Sequence, residues 1–300
     1  MDKLVGMNYF VRAVESKGFS PAARVLLVSP AAVSKAIGTL ERELGVSLFH
    51  RTTRSLSLTD EGALYYERCR TALDAVADAE SSVAALKGRP RGRLVIGMPP
   101  VIATHCVMPE LPQFLAMYPD LRVELRAIFL PREMEQEGVD VLVRLGHLAD
   151  SDLVAREIAR TQFLLVAAPS YLKRAGNPSR PEDLAAHDIV AFTNIWGHFN
   201  RWRLERAGKV TEVQLNCRVL GNEREALIAA VISGAGIVRV PDLGIRPHLK
   251  SGVLTPVLKE WRVLDAPPVH LLYRKSQRNS AKIKAFADWV TGLFAKVRAQ

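Results

Sequence analysis

Cysteine is scarce in this 300-residue chain: three residues, Cys69, Cys106 and Cys217, far apart and with no C-x-x-C pair. A disulfide framework and a thiolate zinc site are thereby disfavoured, and a reducing cytoplasm fits best. Long apolar runs are also missing. No stretch of 18 apolar residues occurs, so no transmembrane helix is expected. The opening "MDKLVGMNYFVRAVESKGF" is amphipathic and carries an acid near its start, unlike a secretory signal. Catalytic signatures are absent as well: no Gly-rich phosphate loop, no G-x-S-x-G, no H-E-x-x-H and no metal-ligand spacing among the seven histidines. The expectation is a chain without cofactor or metal that is not an enzyme.

What is present is positive charge, and its placement is informative. Net charge is +10, with eight basic against four acidic residues in 1–59, an acidic stretch over 60–87, and three arginines in 88–93. A basic N-terminal segment suggests a polyanion partner, although a basic soluble protein could show the same balance.

Leu4, Met7, Val11 and Val14 form a helical stripe. Two Ser-Pro pairs follow nine residues apart, Ser20-Pro21 and Ser29-Pro30, each reading as a cap with proline in the first turn. Two short helices joined by a tight turn read as a helix-turn-helix. In the second helix Val33, Ile37, Leu40 and Leu44 share one stripe. The other face carries Ala31, Ser34, Lys35, Gly38 and Arg42, small residues with two cations. Such a face lets a backbone approach an anionic surface, and the Ser29 end points free N–H groups outward. A lone helix of this kind would more often present a merely solvated face; the tandem shifts the balance towards DNA.

"VSLFHRTTRSLSLT" then suggests two short strands around a turn bearing Arg51 and Arg54, a wing able to grip phosphates. Thr59 caps a long helix in which Tyr65, Cys69, Ala72, Val76, Ala79, Val83 and Leu86 keep heptad spacing, a seam suited to pairing with a second copy. "KGRPRG" breaks it. From 93 onward strands alternate with helices, including a helix over 105–117, one near 223–233 and a closing helix with Ile283, Phe286, Val290, Phe294 and Val297 on one face. This is an α/β domain large enough for two lobes, and its strand ends are default ligand sites.

The block from Phe10 to Gly62 resembles the N-terminal signature of the LysR-type transcriptional regulators, through Phe19-Ser20, Ala22-Ala23, Leu26, Ser29-Pro30, Val33-Ser34, Leu40-Glu41, Leu44-Gly45, Leu48-Phe49, Arg51, Leu58-Thr59 and Gly62. The resemblance implies a winged helix-turn-helix (1–59), a dimerising linker helix (60–87), a hinge (88–92) and an effector-binding domain (93–300) like type 2 periplasmic binding proteins. Lobe one would hold 93–163 and 266–300, lobe two 164–265. The implied partners are promoter DNA, a small-molecule effector that in many members is an anionic carboxylate, RNA polymerase, and further copies of the chain as a dimer or tetramer.

Carried over by position, the DNA contacts are Ser29, Pro30, Ala31, Ser34 and Lys35, with Arg51 and Arg54 of the wing. The effector would meet Pro99, Pro100, Val101, Thr104 and Gly146 in lobe one, and Thr193, Asn194, Gly221 and Asn222 in lobe two. Thr104 would stand beside a helix N-terminus, with Arg144 and Arg239 as further cations near strand ends that fit ion pairs better than ligand contacts. Many members place Gln-Pro after the capping serine where this chain has Pro30-Ala31, so no operator sequence carries over. Peroxide-sensing relatives use two nearby cysteines in lobe two; here only Cys217 lies there, and Cys106 reads best as a buried, inert thiol. Two rival readings remain: a nucleoid-type DNA binder without sequence preference, and a solute-binding α/β protein.

Overall fold

A computed structural model describes residues 2–51, 56–84, 90–148, 152–193 and 200–299. The chain divides into two compact units: residues 1–94 with 120–122 and 279–282, and the remainder.

The first unit opens with helices α1 (Lys3–Glu15), α2 (Phe19–Leu26) and α3 (Pro30–Leu44), then strands β1 (Phe49–Arg51) and β2 (Leu56–Leu58), then the long helix α4 (Asp60–Ala84). The axes of α2 and α3 meet at 108°, within the range of helix-turn-helix pairs. Phe10, Ala22, Val33, Ile37, Leu40, Leu48 and Phe49 make one core between them. Helix α2 begins two residues earlier than expected, at Phe19. Its cap is Gly18, with no side-chain hydrogen bond, so Ser20 lies inside the first turn instead of capping it. Ser29 behaves as its sequence suggests: Oγ accepts the Ala32 N–H at 3.2 Å, with Pro30 next in line. Gly45, at φ +72°, ends α3 in the left-handed region that glycine adopts without penalty. Thr59 caps α4, its Oγ1 accepting the Gly62 N–H at 2.9 Å and donating to the Ser47 carbonyl at 2.7 Å.

The second unit holds two sheets. Strands β3 (Gly92–Gly97), β4 (Leu121–Arg126), β5 (Val141–Leu145), β6 (Leu153–Arg160) and β15 (Pro268–Arg274) form the first, in the order β4-β3-β5-β15-β6. Its start, β3, shares residues with the first unit. The second contains β7 (Phe163–Ala167), β8 (Ile189–Phe192), β9 (Arg201–Arg206), β10 (Lys209–Gln214), β11 (Cys217–Gly221), β12 (Ile237–Pro241), β13 (Thr255–Val257) and β14 (Arg262–Val263). Its order is β10-β9-β14-β7-β12-β8-β11, with β13 also on β7. The chain thus leaves the first sheet after β6, builds the second, and returns as β15, which pairs antiparallel with both β5 and β6.

The central strands of the second sheet are buried on both faces, which is why they read as apolar runs. Along β12, Ile237 packs into one cluster with Leu165, Trp202 and Leu204, while Val238 and Val240 pack into the other with Ile228 and Val231. In the first sheet Val95, Leu142 and Leu272 share a cluster with Met134 and Val139. The closing helix Ala281–Ala299 buries Ile283, Phe286, Val290 and Phe294, and Phe286 meets Phe114 edge-on at 5.8 Å. The side chain of Val297 lies outside the described residues.

The expected helix over 105–117 is not a single α-helix. Ala103–Val107 is a π turn, Met108–Glu110 a 3-10 turn, and regular α-helix runs only over Leu111–Met117. Pro109 and Pro112 remove amide donors inside the run, so a uniform ladder cannot form. No single described helix is long and apolar enough to cross a membrane.

Candidate nucleic-acid interface and effector cleft

On α3 the core-facing side is Val33, Ala36, Ile37 and Leu40, all buried. Ser29, Pro30, Ala31, Ser34 and Lys35 are exposed together at the other side of its N-terminal half, with Arg42 exposed further along. This is a cationic face without bulky side chains, at the positive end of a helix dipole and free of any acidic residue in the first turn. It is shaped for close approach to a phosphate-lined groove.

The wing is tied to this helix. Glu41, on α3, accepts hydrogen bonds at Oε1 from the N–H groups of Leu48 and Phe49, and β1 then pairs antiparallel with β2, Phe49 opposite Leu58. The backbone of Arg51 ends β1. Its side chain and residues 52–55, Arg54 among them, lie outside the described residues.

The heptad stripe on α4 is divided by the fold. Cys69 is 1% exposed in the chain's own core, and Tyr65 packs there against Phe10 at 5.6 Å between ring centres. Cys69 is not turned outward to a partner, which corrects the expectation that it belongs to an intersubunit seam, whereas Tyr65 is half-buried; the core of the winged domain had the prior claim on the third turn of α4. Ala72 is half-buried and Val76 is 38% exposed. The side chains of Ala79 and Val83, and the whole of Leu86, fall outside the described residues.

In the second unit the expected effector positions separate into two groups. Pro99 and Val101 are buried, Pro100 and Thr104 exposed. Thr104 does not stand at a helix N-terminus as expected: it is the fifth residue of the helical run, whose Ile102 and Ala103 N–H groups already donate to the Pro99 carbonyl. Gly146 is buried at φ +113°. Its carbonyl accepts from His270 Nδ1 at 3.0 Å, which places the proton of that imidazole on Nδ1. Across the chain, the Thr193 N–H donates to the Gly221 carbonyl at 2.7 Å, joining two lobe-two positions, and Asn222 is exposed beside them. Asn194 lies outside the described residues.

What links the two groups is a residue missed in the sequence. His105 follows Thr104 and lies against Gly244, and its Nε2 is 3.6 Å from Oε1 of Glu225, three residues after Asn222. The irregular π turn that aims it this way left no periodic signal.

A cavity of about 1220 Å³ adjoins the two chain crossovers, lined among others by Thr161, Phe163, Asp242, Trp261, Leu264 and His270. None of the nine expected effector positions is among its described lining residues, although His105 and His147 adjoin two of them. Arg239 is half-buried, its guanidinium over the rings of Phe163, at 4.6 Å, and Trp202, at 5.6 Å, and burial lowers its pKa to about 10. Arg144 is buried opposite His270 on the neighbouring strand. Burial pushes the Cys106 thiol up to about 11, with the nearby Asp242 charge adding to the shift, so it is protonated at neutral pH. Among the described residues no group of three or more His, Cys, Asp or Glu side chains could hold a metal ion.

Comparison with known proteins agrees with this architecture. Residues 4–63 match the family described as "Bacterial regulatory helix-turn-helix protein, lysR family", and residues 87–295 match "LysR substrate binding domain". An HTH-type transcriptional repressor of Pseudomonas aeruginosa is 33% identical over 99% of this chain and 93% of its own length. The HTH-type transcriptional regulator CrgA of Neisseria meningitidis serogroup B is 32% identical over 95% of this chain and 94% of its own. A solved structure of CrgA superposes with a TM-score of 0.63 at 31% identity, covering 97% of this chain and 98% of that one. The full-length structure of the Vibrio cholerae virulence activator AphB gives 0.60 at 26%, covering 96% and 98%. The chain belongs to the LysR-type transcriptional regulators: DNA-binding regulators with an N-terminal helix-turn-helix and a two-lobed effector-binding domain.

Proposed function

We propose that this chain binds promoter DNA through the N-terminal half of α3, with Ser29, Pro30, Ala31, Ser34 and Lys35 in the major groove and Arg51 and Arg54 of the wing on the flanking backbone. The supporting observation is the joint exposure of those five α3 residues on a face without bulk, opposite a fully buried one. Two copies pair through the outward part of α4 beyond Cys69, which sets two recognition helices about 34 Å apart on one DNA face; four copies make the tetramer. RNA polymerase is the further partner, the cytoplasm the compartment, and the activity regulatory without catalysis.

The effector is a small molecule, an anion by the chemistry of the family, held by Pro99, Pro100, Val101, Thr104 and Gly146 of lobe one with Thr193, Asn194, Gly221 and Asn222 of lobe two. A footprint of the full chain on DNA upstream of its own gene and the divergent neighbour, at physiological salt with excess competitor, tests the reading. One discrete protected site with two-fold symmetry is the expected result. Protection everywhere, lost together as salt rises, would instead make the chain a nucleoid-type binder.

A further inference from the structure

Between the two lobes of the second unit the backbone passes only twice, after β6 and before β15. Whatever fixes the angle between the lobes must therefore be largely non-covalent. One contact spans them with unusual closeness. Gly244 follows β12 in lobe two, and a Cβ built there would lie 2.3 Å from Cδ2 and 2.5 Å from Cγ of His105, which comes from lobe one. Only a residue without a side chain admits the imidazole at that point, and Gly244 also has a φ of +69°.

The ring reaches this position because Ala103–Val107 is a π turn, a rare local form that re-aims side chains relative to a regular helix. Its Nε2 is buried and makes no hydrogen bond, yet Glu225 Oε1 is 3.6 Å away. Glu225 is in turn held from its own side. Arg224 pairs with its carboxylate and also donates through Nη2 to the Leu243 carbonyl at 2.9 Å, next to Gly244. The carboxylate and the glycine gap thus form one braced receptor in lobe two, and the imidazole stops just short of bonding to it. A buried ring nitrogen left unpaired beside a carboxylate favours, in the tautomer that carries its proton there, any movement that brings the two together.

We propose that His105 is the positioning residue of lobe closure: in the closed arrangement, which the free chain samples and an effector favours, Nε2–H donates to Glu225 through the gap at Gly244, and when the lobes open this bond and the ring contact are lost as one. This goes beyond the effector reading, since it assigns the inter-lobe contact to residues outside the expected pocket.

Amide hydrogen exchange on the full-length protein tests it without a known effector. His105→Ala and Glu225→Met, which removes the acceptor, should each speed exchange over 103–107 and over 242–246 together, by about tenfold, the size of an ordinary coupling between sites. The double variant should match the singles. His105→Gln, which keeps a donor, should recover protection on both segments, whereas His105→Leu, which keeps only bulk, should not. Faster exchange confined to 103–107, additive losses in the double variant, or full protection in His105→Leu would each reduce His105 to local packing and overturn the proposal. Glu225→Met keeps the side-chain length on a good helix former and decides the matter if the alanine variant unfolds. The footprint on DNA is read separately, so loss of this contact and failure of DNA recognition are distinguishable.

Discussion

Glu41 on the recognition helix holds the start of the wing: its Oε1 accepts the backbone N–H of Leu48 at 2.8 Å and that of Phe49 at 3.3 Å. Both amides sit where the chain leaves α3 and enters β1, at a corner where Leu48 and Phe49 are buried and Glu41 is half-buried. Glu41→Ala should destabilise the DNA-binding unit by about 2 kcal/mol, the cost of unpaired buried donors. Urea unfolding followed by circular dichroism measures this.

Gly62 is required by the same corner. A Cβ there would lie 2.0 Å from the Leu48 carbonyl oxygen, against backbone that cannot swing aside. Gly62→Ala should cost about 2 kcal/mol through overpacking, although alanine is the better helix former. A raised melting temperature would show that α4 can shift on the wing.

Lys35→Ala should weaken binding to the operator and lower the slope of log affinity against log salt by about one, with secondary structure and oligomeric state unchanged. Titrations at several salt concentrations supply the slope. An unchanged slope would take Lys35 off the phosphate backbone.

Val76→Asp places a charge on the outward part of α4, where Val76 is 38% exposed. The dimer should dissociate, and operator affinity should fall with it. Sedimentation velocity reads the first and the footprint the second; an intact dimer would remove Val76 from the pairing surface.

Stability should also fall in mild acid through His187. The Tyr171 hydroxyl accepts the Asp188 N–H at 2.8 Å and meets His187 Nδ1 at 3.1 Å, so its own proton points at an unprotonated Nδ1. Burial lowers the His187 pKa from its ordinary 6.5, outweighing Asp183 and Asp188, which raise it. A base with a lowered folded-state pKa contributes stability that is complete above the unfolded value and lost as pH falls from about 6.5 towards the folded one. His187→Gln should flatten that slope in denaturation midpoints taken between about pH 7.5 and 5.

The parts of the fold legible from sequence were those set by local chemistry and period. Ser29 and Thr59 cap the helices their positions announce, and β12 reads as apolar because both faces of its sheet are covered. Ser20 misled because α2 already starts at Phe19 behind Gly18, which leaves the serine inside the first turn. The heptad stripe on α4 could not reveal that Cys69 faces inward, since a core and a partner impose the same spacing. His105 stayed invisible for another reason. Its role depends on a π turn and on a glycine 139 positions further along, and no local pattern carries either.

The insertion of β15 between β5 and β6 also bears on the order of events at the ribosome. The DNA-binding unit has almost all of its core by residue 84 and can fold while the rest is still being made. Lobe one cannot: among the described residues β6 pairs in its sheet with β15 alone, more than a hundred residues later. Its edges therefore stay open through the synthesis of the whole second lobe, and a chain released early by a stop codon before residue 268 would keep an intact reading head on a half-built sensor.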